Sequence, residues 1–592
     1  MKIKVSDYIA YFLCRNGIKD VFTVTGGGAM HLNDSLGHCP DLKCTYNHHE
    51  QACAIAAEAY ARLSGEPACV CVTSGPGGTN ALTGVVGGWL DSVPMFILSG
   101  QVKRETTVIA TDVPLRQLGD QEYTIIDTVK PMTKYAVMVN DESKIAYHLE
   151  KALYLAMEGR RGPVWLDIPL DIQGASVDTE NLEHFSPGEF EEKTYDISDE
   201  TAQAIIEKIS NAKRPVILAG SGIRFSKSDA IFNELIEKLR IPVVVAWNSN
   251  DLVPYDSPYF CGMPGTVGTR SGNFVVQNAD VLLVLGSRLN IRMISYNKFD
   301  FAKNAYKIIV DIDENELKKP TIVPDMPVCA DVKCVIEKLL KTDYGADHSE
   351  WLSWCKNLLV RYPVVQPKFY ENTAALNPYV FIDELFRRLK SNDTICCSNG
   401  SACVVTFQAA KTKAGQRMFT NSGCASMGYG LPAAIGAAVY KKDECIICLE
   451  GDGSLMMNLQ ELQTVFHNRY NIKIFILNNN GYHSIRQTQT NLFSPPLVGV
   501  CADNGVSFPS FEKIAYAFDI PYEKVASLDD ADKIQHVLEM DGPVICEAFL
   551  DYSQNFEPKL SSKVLDDGRI VSPSIDDMFP FLPKEEYESN HF

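Results

Sequence analysis

Twelve short apolar runs punctuate this chain, and most are separated by longer segments with helical periodicity. The runs are Val21–Val24, Ala68–Thr73, Met95–Leu98, Val164–Ile168, Val216–Ala219, Val243–Ala246, Val281–Leu285, Ile308–Ile312, Thr394–Cys397, Cys445–Leu449, Ile472–Leu477 and Val544–Phe549. Because they are apolar at consecutive positions, they read as strands covered on both faces, the usual condition of a parallel sheet. The segments Gln51–Ser64, Ala230–Lys238 and Leu459–Asn468 carry the period of crossover helices. The pattern predicts doubly wound α/β domains and argues against a β-sandwich or a helical bundle.

A chain of 592 residues, at about 150 residues per domain, predicts three or four such domains. Two breaks divide it. Residues 178–200 are acidic, rich in Ser, Thr, Gly and Pro, and poor in apolar runs; residues 342–347 and the aromatic stretch up to Pro378 interrupt the rhythm again. The expected domains are residues 1–178, 195–342 and 370–560, followed by an extended tail over 561–592 that carries Pro573, Pro580 and Pro583. No internal repeat is visible.

Lys and Arg number 55 against 74 Asp and Glu, and the net charge of −19 argues against nucleic acid or an anionic membrane as partner. No apolar run approaches the roughly 20 residues of a spanning helix. The start, Met1-Lys2-Ile3-Lys4, has no apolar core followed by a cleavage site, so a cytoplasmic protein is expected. The 18 cysteines lie largely in strand-like runs, as buried thiols of a reduced protein would; even Cys445 and Cys448, formally CxxC, share one run.

Chemistry enters at two strand ends. Gly451-Asp452-Gly453-Ser454 follows one apolar run, and Asn478-Asn479-Asn480-Gly481 follows the next. Ligands of open parallel sheets bind beyond the carboxyl ends of strands, so both segments can face one site. A hard cation such as Mg²⁺ takes oxygen ligands, available from the Asp452 carboxylate, the Asn479 amide oxygen and a backbone carbonyl near Gly481, with diphosphate and water completing the shell. Glycines flanking Asp452 let phosphate approach the backbone, and the Ser454 hydroxyl and amide can donate to it. Asp-Gly alone is a common turn. Gly-Asp-Gly-Ser with an Asn 27 residues after the aspartate, a helix and a strand between them, resembles the thiamin diphosphate (ThDP) binding signature.

The resemblance extends over most of the chain. Asn47-His48-His49-Glu50-Gln51-Ala52 is similar to the glutamate-bearing segment of a pyrimidine-binding domain, Thr73-Ser74-Gly75-Pro76-Gly77-Gly78-Thr79-Asn80 to the Gly-rich turn after it, and Arg160-Arg161-Gly162-Pro163-Val164 to the lead-in to that domain's closing strand. Together they resemble the acetolactate synthase-like (acetohydroxyacid synthase large-subunit-like) family. This implies three doubly wound parallel-sheet domains of the ThDP-enzyme fold: pyrimidine-binding, central Rossmann-like and diphosphate-binding. It also implies that Glu50 is catalytic, sharing a proton with the aminopyrimidine ring so that the cofactor's own amino group can deprotonate C2.

By family position, Gly75, Asn80, Gly400, Ser401, Ala402, Cys403, Ala425, Ser426, Met427, Gly453, Ser454 and Tyr482 contact the cofactor beside Glu50, Asp452, Asn479 and Gly481. Val405 or Met427 would wedge it into a bent shape. Asn399–Cys403 lacks the Gln-His pair of the synthases. The family builds each site from two subunits, which implies a homodimer or homotetramer.

In the central block, Gly220-Ser221-Gly222, Ala246-Trp247-Asn248, Met263, Gly265-Thr266, Gly286-Ser287-Arg288, Asn290, Asp311-Ile312 and Asp331 mostly stand at strand ends, and in series they resemble the FAD-binding segments of acetolactate synthases. Arg288 is expected near the diphosphate and Asp311 near the adenosine. The FAD would be structural; the alternative is a central domain that has lost the flavin. Arg292 matches an arginine near the 2-keto acid carboxylate, and Gln121 a pocket glutamine from the other subunit.

Downstream of the metal segment, Tyr482-His483-Ser484-Ile485-Arg486-Gln487-Thr488 departs from the synthase pattern, with Thr488 where the family carries a tryptophan, so a larger, more polar acceptor pocket is expected. His483 and Arg486 are acceptor candidates or merely satisfied polar residues. The leading reading is a ThDP- and Mg²⁺-dependent carboligase that decarboxylates a 2-keto acid, pyruvate foremost, and passes the acyl unit to a second carbonyl. Alternatives are acetyl transfer to a keto sugar nucleotide, simple decarboxylation, and a non-catalytic regulatory or assembly protein of the same fold.

Overall fold

The computed structural model describes residues 2–191, 193–371, 375–564, 567 and 569–592. Residues 372–374 of the second break, 565, 566 and 568 of the tail, and Met1 lie outside the described residues. Each expected block forms a parallel sheet. The N-terminal order is Lys43–Tyr46, Asp20–Thr23, Ala68–Val72, Met95–Gln101, Pro163–Pro169, Tyr135–Met138. The C-terminal order is Arg417–Phe419, Thr394–Cys397, Ile446–Gly451, Ile472–Asn478, Val544–Phe549, Tyr522–Val525. Numbered by sequence within each sheet, both read 2-1-3-4-6-5, so the outer domains share one topology although no repeat is visible in their sequences. The central sheet, Val243–Val245, Pro215–Ala219, Val281–Leu285, Tyr306–Asp311, Met326–Cys329, reads 2-1-3-4-5, a doubly wound order with its switch point between the second and third of these strands. An antiparallel pair, Lys2–Lys4 with Ser176–Asp178, ties the two ends of the first domain together.

The helix Glu50–Ser64 joins the outer domains. His49 caps it by accepting from the Gln51 amide, and Gly65, at φ 73°, ends it in the left-handed conformation. Its alanines allow backbone-close packing. A Cβ on Gly84 of the helix Pro76–Asp91 would stand 2.5 Å from Ala54 Cβ, and one on Gly436 of the helix Gly430–Lys441 would stand 2.0 Å from the Ala56 carbonyl oxygen.

At the end of this packed trio, Arg62 pairs with Glu58 and with Asp91, the latter at 2.9 Å. Asp91 also accepts from the Gly423 amide at 2.9 Å and from Asn248 Nδ2 at 3.3 Å, so one carboxylate touches all three domains. Arg62 is buried, and its two acidic partners offset the desolvation of its charge.

The tail is not extended. It folds back onto the central domain, where Arg270 donates to the Pro580 carbonyl at 2.7 Å and Asn273 to the Ile575 carbonyl at 2.9 Å. Ile575 and Met578 are buried, and Phe592 packs edge-on against Trp351 and Trp354. Among the described residues the tail adds no strand to the three parallel sheets; it forms its own antiparallel pair, Lys563–Val564 with Ile570–Val571, and docks through side-chain donors and apolar anchors. The second break likewise contains a helix, Ser349–Arg361, whose Trp351 indole donates to the Pro215 carbonyl at 3.0 Å. The cysteines are free thiols; Cys445 and Cys448 pack toward different core clusters, as residues three apart along a strand must. Among the described residues no helix is long and apolar enough to cross a membrane.

Candidate active site

Register brings the two motif segments together. Cys397 pairs with Leu449 and Gly451 with Leu477, so three neighbouring parallel strands deliver Ser398–Ser401, Asp452 and Asn479 to one sheet edge. Asp452 is 2% exposed. Its Oδ1 accepts from the Gly453 amide at 2.8 Å and its Oδ2 from the Gly481 amide at 2.9 Å. Burial pushes its pKa up to about 6 despite those donors.

Asn479 donates from Nδ2 to Ser401 Oγ at 2.7 Å, while its Oδ1 is buried with no hydrogen-bond partner. Leaving such an acceptor unmade costs about 1–3 kcal/mol. A carboxylate and an orphaned amide oxygen side by side are the donor set of a hard cation, so these residues fit Mg²⁺. Two glycines are required here for steric reasons. A Cβ on Gly453 would meet the Tyr482 ring at 2.3 Å, and one on Gly481, at φ 138°, would meet the Val500 carbonyl oxygen at 2.1 Å.

A polar lattice holds the remaining diphosphate-side segments. Asn399 donates from Nδ2 to Asn421 Oδ1 at 2.7 Å and to the Ser426 carbonyl at 2.8 Å. The Ser454 hydroxyl lies 2.6 Å from Ser398 Oγ and accepts from the Gly428 amide at 2.8 Å, so it braces these segments rather than standing free for phosphate. Gly400, at φ 74°, opens the helix Ser401–Ala409, whose first residues include Ala402 and Cys403. Ala425 adopts φ 53°. Of the two wedge candidates, Met427 is half-buried, whereas Val405 is buried beside Asn479 and Leu477.

The pyrimidine-side residues form a second group. Glu50 is buried, and its Oε2 accepts from Asn80 Nδ2 at 3.0 Å. Gly75, at φ 61°, presses on the loop carrying Gln121; a Cβ there would stand 2.5 Å from the Gln121 carbonyl oxygen. Glu50, Gly75, Asn80 and Gln121 line neither cavity next to the diphosphate-side residues.

A cavity of about 890 Å³ runs from the central switch point to Gly400 and Cys403. Ser221, Gly222, Ala246, Trp247, Asn248, Gly265, Gly286, Ser287, Arg288, Asn290, Asp311, Ile312 and Asp331 line it. Gly220 lies just beneath, its amide donating to the Leu285 carbonyl, and a Cβ there would stand 2.2 Å from the Gly286 carbonyl oxygen. Met263 is buried behind the wall, and the Thr266 amide donates to the Arg292 carbonyl. Burial raises Asp311 to about 6. The cavity's size lies at the upper end of the ~300–1,000 Å³ of small-molecule and cofactor sites, and its glycine edge suits the close approach of a dinucleotide.

Arg292 lines the cavity with its guanidinium 5.7 Å from the Trp247 ring centroid, and Thr488 lines the same cavity. Arg486 instead turns back to the metal loop, donating to the Asn479 and Asn480 carbonyls at 3.1 and 2.5 Å. His483 sits in a small pocket with Ser401 and Asn479, its Nε2 3.0 Å from the Gln554 carbonyl oxygen, and burial lowers it to about 4, so it is neutral. Asp91, Arg62 and Lys559 reach the cavity unannounced by any motif; single residues distant in sequence leave no spacing to read.

Three parallel sheets in this order, with a hard-cation donor set and a buried glutamate on the two outer ones, define a ThDP-dependent enzyme. Comparison with known proteins agrees. The models of the thiamine pyrophosphate enzymes, thiamine pyrophosphate being the same compound as ThDP, match residues 3–124 (N-terminal TPP binding domain), 202–339 (central domain) and 398–548 (C-terminal TPP binding domain). The chain is 31% identical to acetolactate synthase isozyme 1 large subunit of Escherichia coli (strain K12) over 560 residues, 93% of this chain and 95% of that protein. It is 30% identical to the acetolactate synthase large subunit of Lactococcus lactis subsp. lactis (strain IL1403) over 566 residues, 94% of each. To chloroplastic acetolactate synthase 1 of Nicotiana tabacum it is 30% identical over 571 residues, 94% of this chain and 83% of that one. The chain belongs to the acetolactate synthase family of ThDP-dependent enzymes.

Proposed function

We propose that this protein is a carboligase that decarboxylates pyruvate and transfers the acyl unit to a second carbonyl, with ThDP and Mg²⁺ bound between Glu50 of one chain and Asp452 and Asn479 of another. The observation that carries the reading is the unpartnered Asn479 amide oxygen beside the buried Asp452, on a sheet edge where an incoming cation and diphosphate would satisfy both. When bound, ThDP supplies the electron sink that loss of CO₂ from a 2-keto acid requires. Glu50 is placed in a buried setting to share a proton with the aminopyrimidine, and Asn80 fixes the direction in which its carboxyl points. Asp452 and Asn479 hold the cation, with the backbone near Gly481. Arg292 is suited to a substrate carboxylate.

We infer a homodimer or homotetramer, as the resemblance to the acetolactate synthases implies. Ile109, Val113, Leu115 and Leu118, on the segment leading to Gln121, are exposed, as are Met456 and Met457 just after Ser454. Apolar surface flanking both half-sites suits burial against another copy. The large cavity is the place for FAD in a structural role: the glycine edge would admit its diphosphate, Arg288 would meet that charge, and Asp311 would meet the adenosine end. Free thiols suit a reducing compartment, the cytoplasm.

Incubation with ThDP, Mg²⁺ and labelled pyruvate tests the reading. Release of CO₂ with a carbon–carbon ligated product is expected. Acetaldehyde as the sole product would make the protein a decarboxylase, and no CO₂ from any 2-keto acid would remove both.

A further inference from the structure

The diphosphate-binding domain contributes no carboxylate to the wall of the large cavity, and its single charged group there is Lys559. The acids that reach the cavity, Asp91, Glu158, Asp311 and Asp331, come from the other two domains. Around Lys559 the wall is made of Ser484, Gln487, Thr488, Asn491 and Phe556, continuous with Gly400 of the cofactor segment.

The ammonium is poorly satisfied. Its hydrogen bond is a long one, 3.4 Å to Gln487 Oε1, and among the described residues Lys559 forms no ion pair. Burial depresses its pKa, with no neighbouring charge opposing the shift. In the same cavity wall, Ser484 Oγ is buried without a hydrogen-bond partner. A half-buried ammonium that has lost water and gained no anion is destabilised until one arrives.

The backbone that carries Lys559 is held from three sides. Its amide donates to the Phe579 carbonyl at 3.0 Å and its carbonyl accepts from the Phe579 amide at 2.8 Å. Gln408 donates to the Pro558 carbonyl at 2.6 Å, and the Leu560 amide donates to the Thr266 carbonyl at 2.7 Å. A side chain on so fixed a base positions a ligand instead of following it.

We propose that the Lys559 ammonium, together with Gln487, holds the anionic group of the acceptor that receives the acyl unit, and so selects carbonyl compounds that carry a carboxylate. The inference rests on the carboligase reading and adds a cation to the acceptor side, distinct from Arg292 on the central domain. Lys559 is then a specificity-determining residue that leaves the chemistry to the cofactor.

The test compares two acceptors in the holoenzyme with pyruvate as donor: 2-ketobutyrate, which carries a carboxylate, and propanal, which does not. Lys559→Gln should raise the KM for 2-ketobutyrate about ten- to a hundredfold, the range lost with a hydrogen bond to a charged group, with a smaller fall in kcat. It should leave the preference for propanal over 2-ketobutyrate increased by the same factor, and Lys559→Arg should restore most of the loss. An equal effect on both acceptors, or an unchanged KM for 2-ketobutyrate, would overturn the proposal. Lys559→Met, which keeps the stem and its packing, must behave as Lys559→Gln does; a normal 2-ketobutyrate KM in that variant would also overturn it. Absence of CO₂ from the unaltered protein is a separate result that removes the carboligase reading itself, and this inference with it.

Discussion

Two carboxylates stand at the candidate site in different settings. Glu50 is held by one amide, and its replacement by Gln removes the shared proton while keeping shape and the Asn80 contact. Glu50→Gln should slow exchange of the C2 proton of bound ThDP about a hundredfold or more, the usual contribution of general acid–base catalysis, with ThDP affinity little changed; NMR-monitored exchange and a fluorescence titration measure the two quantities. Asp452 has a pKa raised from 3.8 to about 6 by desolvation. A raised carboxyl pKa adds stability below the unfolded value, and that stability is lost as pH rises through 6, because the buried carboxylate must then be ionised. Cation binding runs the opposite way, since it needs the carboxylate. Mg²⁺ affinity measured by calorimetry should therefore fall about tenfold per pH unit below 6 and level off above it. Asp452→Asn should flatten both trends, and a cation affinity that ignores pH would show that Asp452 is not a ligand.

At the level of elements, the contact between the helices Glu50–Ser64 and Gly430–Lys441 depends on a missing side chain. In an exposed helix, Gly→Ala gains about 1 kcal/mol. At Gly436 the new Cβ would stand 2.0 Å from a backbone carbonyl oxygen that has no room to yield, and overpacking costs about 1–3 kcal/mol. Gly436→Ala should thus be destabilising by up to about 2 kcal/mol in urea denaturation. Gly87→Ala, whose nearest contact is an ordinary 3.5 Å, should be neutral or stabilising.

The tail element is pH-sensitive. His591 lies 2.6 Å from Asp576, and that contact raises its pKa above the ordinary value of 6.5. Its contribution is present below 6.5 and lost as pH rises through the folded pKa, so limited proteolysis of the tail should quicken in mildly alkaline buffer. His591→Gln should remove the pH dependence.

Which elements the sequence reveals follows from their place in the sheets. All twelve apolar runs became strands: eleven are interior and buried on both faces, and the twelfth, Val243–Val245, is an edge of the central sheet that is itself buried. The remaining strands of the three parallel sheets, Lys43–Tyr46, Tyr135–Met138, Met326–Cys329, Arg417–Phe419 and Tyr522–Val525, are all sheet edges with polar or half-exposed positions. Asp452 and Asn479 were legible because a fixed spacing ties them to adjacent strands. Lys559 and Asp91 were not, because their roles come from domain packing.

The whole molecule consists of two domains of one topology flanking a third, with Asp91 touching all three. Each outer domain presents its candidate cofactor residues on the carboxyl edge of its sheet. In the proposed two-fold dimer, each half would pair with its counterpart in the other chain and two sites would be completed. Subunit complementation tests this account most directly. Glu50→Gln and Asp452→Ala chains, each inactive alone, are co-expressed with different tags and assayed for CO₂ release and ligation. A mixed dimer then contains one site with both lesions and one with neither, and random pairing should restore about a quarter of the unaltered activity. Purified mixed dimers with no activity would contradict it, because sites built within single chains would all carry a lesion.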